Sequence, residues 1–457
     1  MKKVNVWILI SILSLFASIQ DAQANTPKEI TGIWLGTMKV SEAVELQIGY
    51  IVSRTENGIL TATMNIIEQK AFDIPMDSVS FSQDSIQILF TAAGISYSGI
   101  LDADNQLIQG YYEQGEAKFE LILHSVDELP GEVVRTQTPQ RPFPYIEKEV
   151  VFHNKEAQAD LAGTLTIPYS GENFPAIILV HGSGHTDRNE TKMGHFMLLA
   201  DYFTRNGFAV LRYDKRGVGN STGNYDEATT IDFAHDVKAG INYLKCRKEI
   251  DNTKIGIIGH SEGTLIATIV ASEMDKLSFI VLLGVMGSNG GEIRLQQTEM
   301  ISKLNGVPED EISKELKQIN EYHAILRTDD ISDNKFKTIK ELYPNMSDGM
   351  ISYMLKPWYL NFISIEPLDY LKNVSCPVLA LTGSKDVQCP PEHNLPLVKK
   401  VLENVGNKNF MVKSLPGLNH LLQTSKSGLP IEYENIAEII APSALDLMLD
   451  WITPILN

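Results

Sequence analysis

The stretch Gly259-His260-Ser261-Glu262-Gly263 constrains this chain more than any other. It follows the apolar run Ile255–Ile258 and precedes an apolar helical pattern that begins near Thr264. A serine is therefore expected on a sharp turn between a strand and a helix. Such a turn tolerates only small neighbours, which the two glycines supply. It lifts the serine hydroxyl above the sheet and aims the free N–H groups of the helix at the same place. A dinucleotide loop is excluded, because Gly256, Gly259 and Gly263 do not form G-x-G-x-x-G. Ser261 is the candidate nucleophile, and the backbone N–H of Glu262 a candidate donor to an oxyanion.

The surroundings of this turn set the fold class. From about residue 146, strand-like runs alternate with helical ones: Ala176–Val180 then Lys192–Asn206, Ala209–Tyr213 then Ile231–Lys245, Ile255–Ile258 then Thr264–Met274. Phe279–Leu283, Val378–Leu381, Leu395–Val405, Phe410–Leu415 and a helix around Pro442–Ile452 continue the series. This alternation implies an α/β domain: a mostly parallel sheet with helices on both faces. Between Met286 and about Ser364 the chain turns charged, Met-rich and helical. That insertion is expected either to cap a pocket or to be a packed excursion.

Residues 26–126 read differently, as short runs alternating apolar with polar residues, such as Gly32–Val40, Val44–Val52, Leu60–Ile67, Ser85–Phe90 and Ser96–Leu101. Asn57-Gly58 and the Asp102–Asn105 cluster fall between such runs as hairpin turns. The pattern predicts a small all-β antiparallel barrel or sandwich of eight to ten strands. Pro130, Pro139, Pro142 and Pro144 mark a linker. At the N-terminus, Lys2 and Lys3, a short apolar run from Val6 to Phe16, and Ala22-Gln23-Ala24 form the pattern of a cleaved secretory leader. The expected organisation is a signal peptide at 1–24, an all-β domain at 25–127, a linker at 128–145, and an α/β domain at 146–457 with an insertion at about 286–364. The leader places the protein in the periplasm or beyond.

Composition narrows the partners. The formal charge is −18, and losing Lys2, Lys3 and Asp21 makes the chain one unit more negative. Such acidity disfavours nucleic acid and anionic membranes, and no apolar run reaches the ~20 residues that span a bilayer. Three cysteines, Cys246, Cys376 and Cys389, without a Cys-x-x-Cys pair, give neither a zinc nor a redox motif.

A serine needs a base and an acid, which in this kind of sheet follow it in chain order. His420, after the strand Phe410–Leu415, is the only histidine beyond the last strand and is the candidate base. Asp386, in Thr382-Gly383-Ser384-Lys385-Asp386 after the strand Val378–Leu381, is the candidate acid; Glu392, Glu366 and Asp369 are weaker rivals. Leu179-Val180-His181-Gly182-Ser183-Gly184 ends an early strand in a glycine-rich loop, whose Ser183 N–H is the second candidate oxyanion donor. His181 and His185 are separated by glycines and are not expected to pair around a metal.

Taken with Asp187-Arg188-Asn189, Tyr213–Gly219, Ser221-Thr222-Gly223 and Gly417-Leu418-Asn419-His420, these motifs resemble the α/β-hydrolase superfamily. The likeness spans about 146–457 and is to the serine-aminopeptidase-like group, especially secreted bacterial carboxylesterases with an N-terminal β domain. It implies hydrolysis of carboxylic esters through an acyl-enzyme, with no metal and no cofactor. The substrate would be a small ester, an acylated glycan or an acylated peptide. The Asp214–Gly219 loop is expected to brace the turn beside the site. A peptidase using the same triad is the alternative, and a non-catalytic lipid- or glycan-binding protein a more distant one. Acyl and alcohol specificity and oligomeric state are not legible.

Overall fold

Alternating apolar and polar residues give a strand one face for a core and one for water. In the computed structural model, which describes residues 30–40, 44–55, 57–69, 71–130 and 133–456, the strands between Gly32 and Val126 use this pattern. The expected leader lies outside the described residues. Two compact units divide at residue 131.

The first unit contains β1 (Gly32–Lys39), β2 (Glu45–Arg54), β3 (Leu60–Ile66), β4 (Ala71–Pro75), β5 (Ser78–Ser82), β6 (Ser85–Phe90), β7 (Ile95–Asp102), β8 (Leu107–Gln114) and β9 (Ala117–Val126). They form one antiparallel sheet in the order β4-β3-β2-β1-β9-β8-β7-β6-β5. Its edge strands are consecutive in the chain. At their junction, Met76 N–H donates to Ala62 O of β3 (3.0 Å) and Asp77 N–H to Leu89 O of β6 (2.8 Å). The sheet thus curls back on itself around Tyr50, Tyr97, Ile48 and Ile88. The expected turns at Asn57-Gly58 and Asp102–Asn105 join β2 to β3 and β7 to β8.

The second unit is a mixed eight-stranded sheet: β10 (Tyr145–Asn154), β11 (Ala159–Pro168), β12 (Phe174–Val180), β13 (Ala209–Tyr213), β14 (Ile250–His260), β15 (Phe279–Leu283), β16 (Val378–Gly383) and β17 (Phe410–Leu415). The order is β10-β11-β13-β12-β14-β15-β16-β17. β10 and β11 pair antiparallel with each other, and β11 antiparallel with β13. The remaining pairs are parallel. The β10–β11 hairpin is absent from the strands read in the sequence. Its first strand carries Glu147, Lys148 and Glu149 and is only patchily buried, so no apolar run betrays it.

Helices cover both faces. Ile177 and Leu179 pack with helix His195–Arg205 and the C-terminal helix Pro442–Leu456. Ile178 and Val180, one residue out of phase, pack with helices Thr230–Lys245 and Glu262–Glu273. Between β15 and β16 the insertion forms six helices, Gly290–Leu304, Glu309–Leu326, Ser332–Leu342, Asp348–Met354, Pro357–Phe362 and Pro367–Leu371. They run several residues past the expected limit at Ser364.

Register then places the site. β12 lies between β13 and β14, where the winding of the sheet reverses and a crevice opens at the strand ends. Val180 lies opposite Gly259, His260 opposite Leu283, Leu283 opposite Leu381, and Gly383 opposite Leu415. The loops leaving all five strands therefore emerge side by side.

Candidate active site

Ser261 holds φ 56° and ψ −121°, a backbone conformation costly for a residue with a side chain. The flanking glycines are required by contact. A Cβ on Gly259 would lie 2.1 Å from the carbonyl of Gly263, and one on Gly263 2.1 Å from the carbonyl of Val180. Ser261 occupies the N-cap of helix Glu262–Glu273, yet its hydroxyl makes no cap hydrogen bond. Serine at an N-cap ordinarily bonds the next helical N–H groups; here the hydroxyl is left for the crevice. The Ser261 carbonyl accepts from Thr264 N–H (2.8 Å) and Thr264 Oγ1 (2.7 Å), which fixes the turn.

His420 and Asp386 meet. His420 Nδ1 lies 2.8 Å from Asp386 Oδ2, and both side chains are buried. The other carboxylate oxygen, Oδ1, accepts from the N–H groups of Gln388 (2.9 Å) and Cys389 (2.8 Å), so the acid is held from both sides. The loop carrying His420 is organised by Asn419, whose buried Oδ1 accepts from Leu421 N–H (3.0 Å) and Gln423 N–H (2.9 Å). Ser261 N–H donates to Leu283 O (2.8 Å), and the next residue, Gly284, lies against the His420 ring. A Cβ there would stand 2.8 Å from His420 Cε1. Among the rivals for the acid, Glu366 accepts from Asn289 Nδ2 and Asp369 pairs with Lys372, both exposed.

Ser183 and Ser261 line the same cavity, of about 990 Å³. Its walls come mainly from the insertion, with Met350, Met354, Tyr353, Trp358 and Phe362 prominent, so the insertion covers the pocket. Such a lining suits an apolar group in the substrate, and the volume is at the upper end for a small-molecule site. His181 and His185 do not converge. His181 is fully buried against Phe196 and Tyr213, with its pKa pushed down to about 4 by burial and then by Lys215. His185 is exposed and packs on Tyr225.

Five buried side chains take parts that the sequence reading did not give them. Glu262 offers more than its N–H: its carboxylate accepts from Thr230 Oγ1 (2.8 Å) and Trp358 Nε1 (2.8 Å) and faces Lys215 Nζ at 3.5 Å. Lys215 Nζ also donates to the carbonyl of Gly182 (2.6 Å), and burial lowers its pKa against the pull of Glu262. Glu190 lies between two imidazoles, His260 Nδ1 at 2.8 Å and His195 Nδ1 at 3.1 Å. Burial alone would raise its carboxyl, but the charge on His260 and the two hydrogen bonds hold it well below the usual range. These three groups lie within 4.8 Å and could hold a metal ion. Both carboxylate oxygens are nevertheless taken, since Oε1 also accepts from Gly182 N–H (2.8 Å), which describes a proton-bonded network. The Asp214–Gly219 loop is braced as expected: Arg188 grips Asp214 through two nitrogens, and Arg216 grips Asp236. The sequence signal for the missed residues was only their nearness to glycine-rich motifs.

Residues 171–335 match the family model described as serine aminopeptidase, S33, and residues 317–441 that of the prolyl oligopeptidase family. The two matches together cover strands β12 to β17 of the sheet, the elbow and the base loop. The chain belongs to the α/β-hydrolase superfamily. Within that superfamily it is similar to esterase EstD of Thermotoga maritima, 25% identical over 303 residues, covering 65% of this chain and 67% of that protein. It is also similar to an acyl transferase of Photobacterium leiognathi, 35% identical over 121 residues, covering 26% of this chain and 38% of that one. Among solved structures it resembles the esterase Pf2001 of Pyrococcus furiosus, with 17% identity, a TM-score of 0.43, and 72% of this chain and 100% of that chain covered. The two family matches and the likeness to an esterase support a serine hydrolase of the esterase or peptidase type.

Proposed function

We propose that the chain is a secreted serine esterase that cleaves carboxylic esters through an acyl-enzyme. The observation that carries this reading is the bond from His420 to Asp386, whose other carboxylate oxygen holds Gln388 and Cys389 in the wall of the cavity that Ser261 and Ser183 also line. His420 takes the Ser261 proton as the hydroxyl attacks the ester carbonyl. Asp386 holds the imidazole in the required tautomer and stabilises its charged form. The N–H groups of Ser183 and Glu262 receive the oxyanion. The alcohol then leaves with the proton from His420, and water, deprotonated by the same histidine, releases the acid. The Met- and aromatic-lined cavity takes the apolar part of a small ester, an acylated glycan or an acylated peptide. Export rests on the leader pattern of residues 1–24.

The test is the processed protein beside Ser261→Ala on p-nitrophenyl esters from acetate to palmitate and on aminoacyl p-nitroanilides. Turnover of the esters with silent anilides is expected, with a loss on the order of 10⁶ in Ser261→Ala. Full activity in that variant would sink the reading. The peptidase alternative is favoured by the two matching families, both named for peptidases, and turnover of the anilides would select it.

A further inference from the structure

The cluster around Glu190 lies outside the triad yet reaches two sides of it. Glu190 sits on the loop after the glycine-rich turn at φ 66°, with its side chain 4% exposed. Through Oε1 it holds the N–H of Gly182, the residue before the candidate oxyanion donor Ser183. Lys215 holds the carbonyl of the same Gly182, so that residue is clamped at both its N–H and its C=O. Through His260 the carboxylate reaches the base loop: His260 Nε2 lies 3.1 Å from the carbonyl of His420. A carbonyl can only accept, so Nε2 carries a proton. Nδ1 faces a carboxylate oxygen that already accepts from Gly182, so it carries one too. His260 is then an imidazolium neutralised by Glu190. Its pKa is raised in that sense: burial would lower it, but the Glu190 charge prevails. His195, from the following helix, orients the second carboxylate oxygen.

We propose that Glu190 is a positioning residue which, through Gly182 and through the His260 bond to the His420 carbonyl, holds the oxyanion loop and the base loop in register with Ser261. The inference rests on the esterase reading above. Both loops matter most when charge develops in the transition state, so their loosening lowers kcat and leaves substrate binding largely intact.

The experiment is Glu190→Gln and His260→Gln in the full processed chain, beside Ser261→Ala, with kcat, KM and melting temperature on one p-nitrophenyl ester. Glu190→Gln keeps the shape and removes the charge. Its kcat is expected to fall about 30- to 300-fold, near the cost of an oxyanion donor, with KM within about threefold. His260→Gln keeps a donor for the His420 carbonyl and should lose less. The double variant should be no worse than Glu190→Gln alone, because both cut one chain of bonds. A folded Glu190→Gln with kcat within about threefold of the parent overturns the proposal. So does a rise in KM that accounts for the whole loss, or activity that a chelator removes, which would make the cluster a metal site. If Glu190→Gln does not fold, His260→Gln decides on the same split between kcat and KM. Activity retained by Ser261→Ala fells the esterase reading itself; a silent Ser261→Ala beside a normal Glu190→Gln fells only this inference.

Discussion

Asp386 accepts two backbone N–H groups through one oxygen and faces His420 through the other, so replacing it by asparagine preserves the shape of the site. The amide would hold the imidazole in the wrong tautomer. Asp386→Asn is expected to cost about 10⁴ in kcat, read by steady-state ester hydrolysis with circular dichroism as the folding control. Gly263 makes a different prediction. Its missing side chain leaves room for the carbonyl of Val180, so Gly263→Ala should overpack the elbow by about 1–3 kcal/mol or more. Urea unfolding of the variant measures this, and an unchanged midpoint would contradict the contact. These residues were legible because each closes or follows an apolar strand and their order in the chain is diagnostic. Glu190, Lys215 and the side chain of Glu262 were not. A charged residue in a sequence reads as solvated, and only the fold brings Glu262 to Lys215, 47 positions apart by number, with both side chains buried.

Among the elements, the apolar strands, the alternating strands of the first unit and the amphipathic helices were visible, and the β10–β11 hairpin was not. β10 carries charges on its open face, and β11, though buried, is interrupted by Asp160, Gly163, Thr164 and Thr166, so neither has the apolar run that marks β12 or β14. The insertion was recognisable as helical, but its attachment was not. It is pinned to the elbow by Trp358, whose indole N–H donates to Glu262. Trp358→Phe keeps most of the ring packing and leaves that buried carboxylate one donor short. A loss of about 1–3 kcal/mol is expected in urea unfolding. Within the insertion, His323 Nε2 lies 2.9 Å from Tyr359 Oη and joins helix Glu309–Leu326 to helix Pro357–Phe362. Burial, then the charge of Arg327, pushes its pKa down to about 4. The unfolded chain protonates this histidine near pH 6.5. Between about pH 6.5 and 4 the unfolded state therefore binds the extra proton, and stability falls as pH falls. Melting temperatures from pH 7.5 to 5 should decline, and His323→Gln, which never charges, should flatten part of that slope. An identical slope in the variant would assign the decline to other groups.

For the whole molecule, the candidate site lies within one of the two units. The residues lining the cavity, the candidate catalytic residues Ser261, Asp386 and His420, the candidate oxyanion donors and the Glu190 cluster all lie beyond residue 131. The first unit has its own buried core in Tyr50, Tyr97, Trp34 and Leu121. The proline-rich segment read in the sequence as a linker is only partly free. Gln137 Nε2 donates to Ile440 O (2.7 Å), its Oε1 accepts from Ile439 N–H (2.6 Å), and Arg135 bonds the carbonyl of Glu434. Proline density marked the boundary but could not show that most of the segment, from residue 132 on, is already part of the second unit, because the partners lie some 300 residues away. Two truncations separate these roles. A chain beginning at Glu132 keeps the Gln137 bonds and the β10 strand, and should label at Ser261 with a fluorophosphonate and hydrolyse a small ester within about threefold of the parent. A chain beginning at Ile146 loses the bonds to Ile439 and Ile440, each worth about 1 kcal/mol, along with buried Tyr145. Its melting temperature should drop by several degrees, since roughly 1 kcal/mol shifts a domain of this size by 2–4 °C. If the longer truncation product is folded but does not label, the first unit takes part in catalysis, and the candidate site is not confined to the second unit.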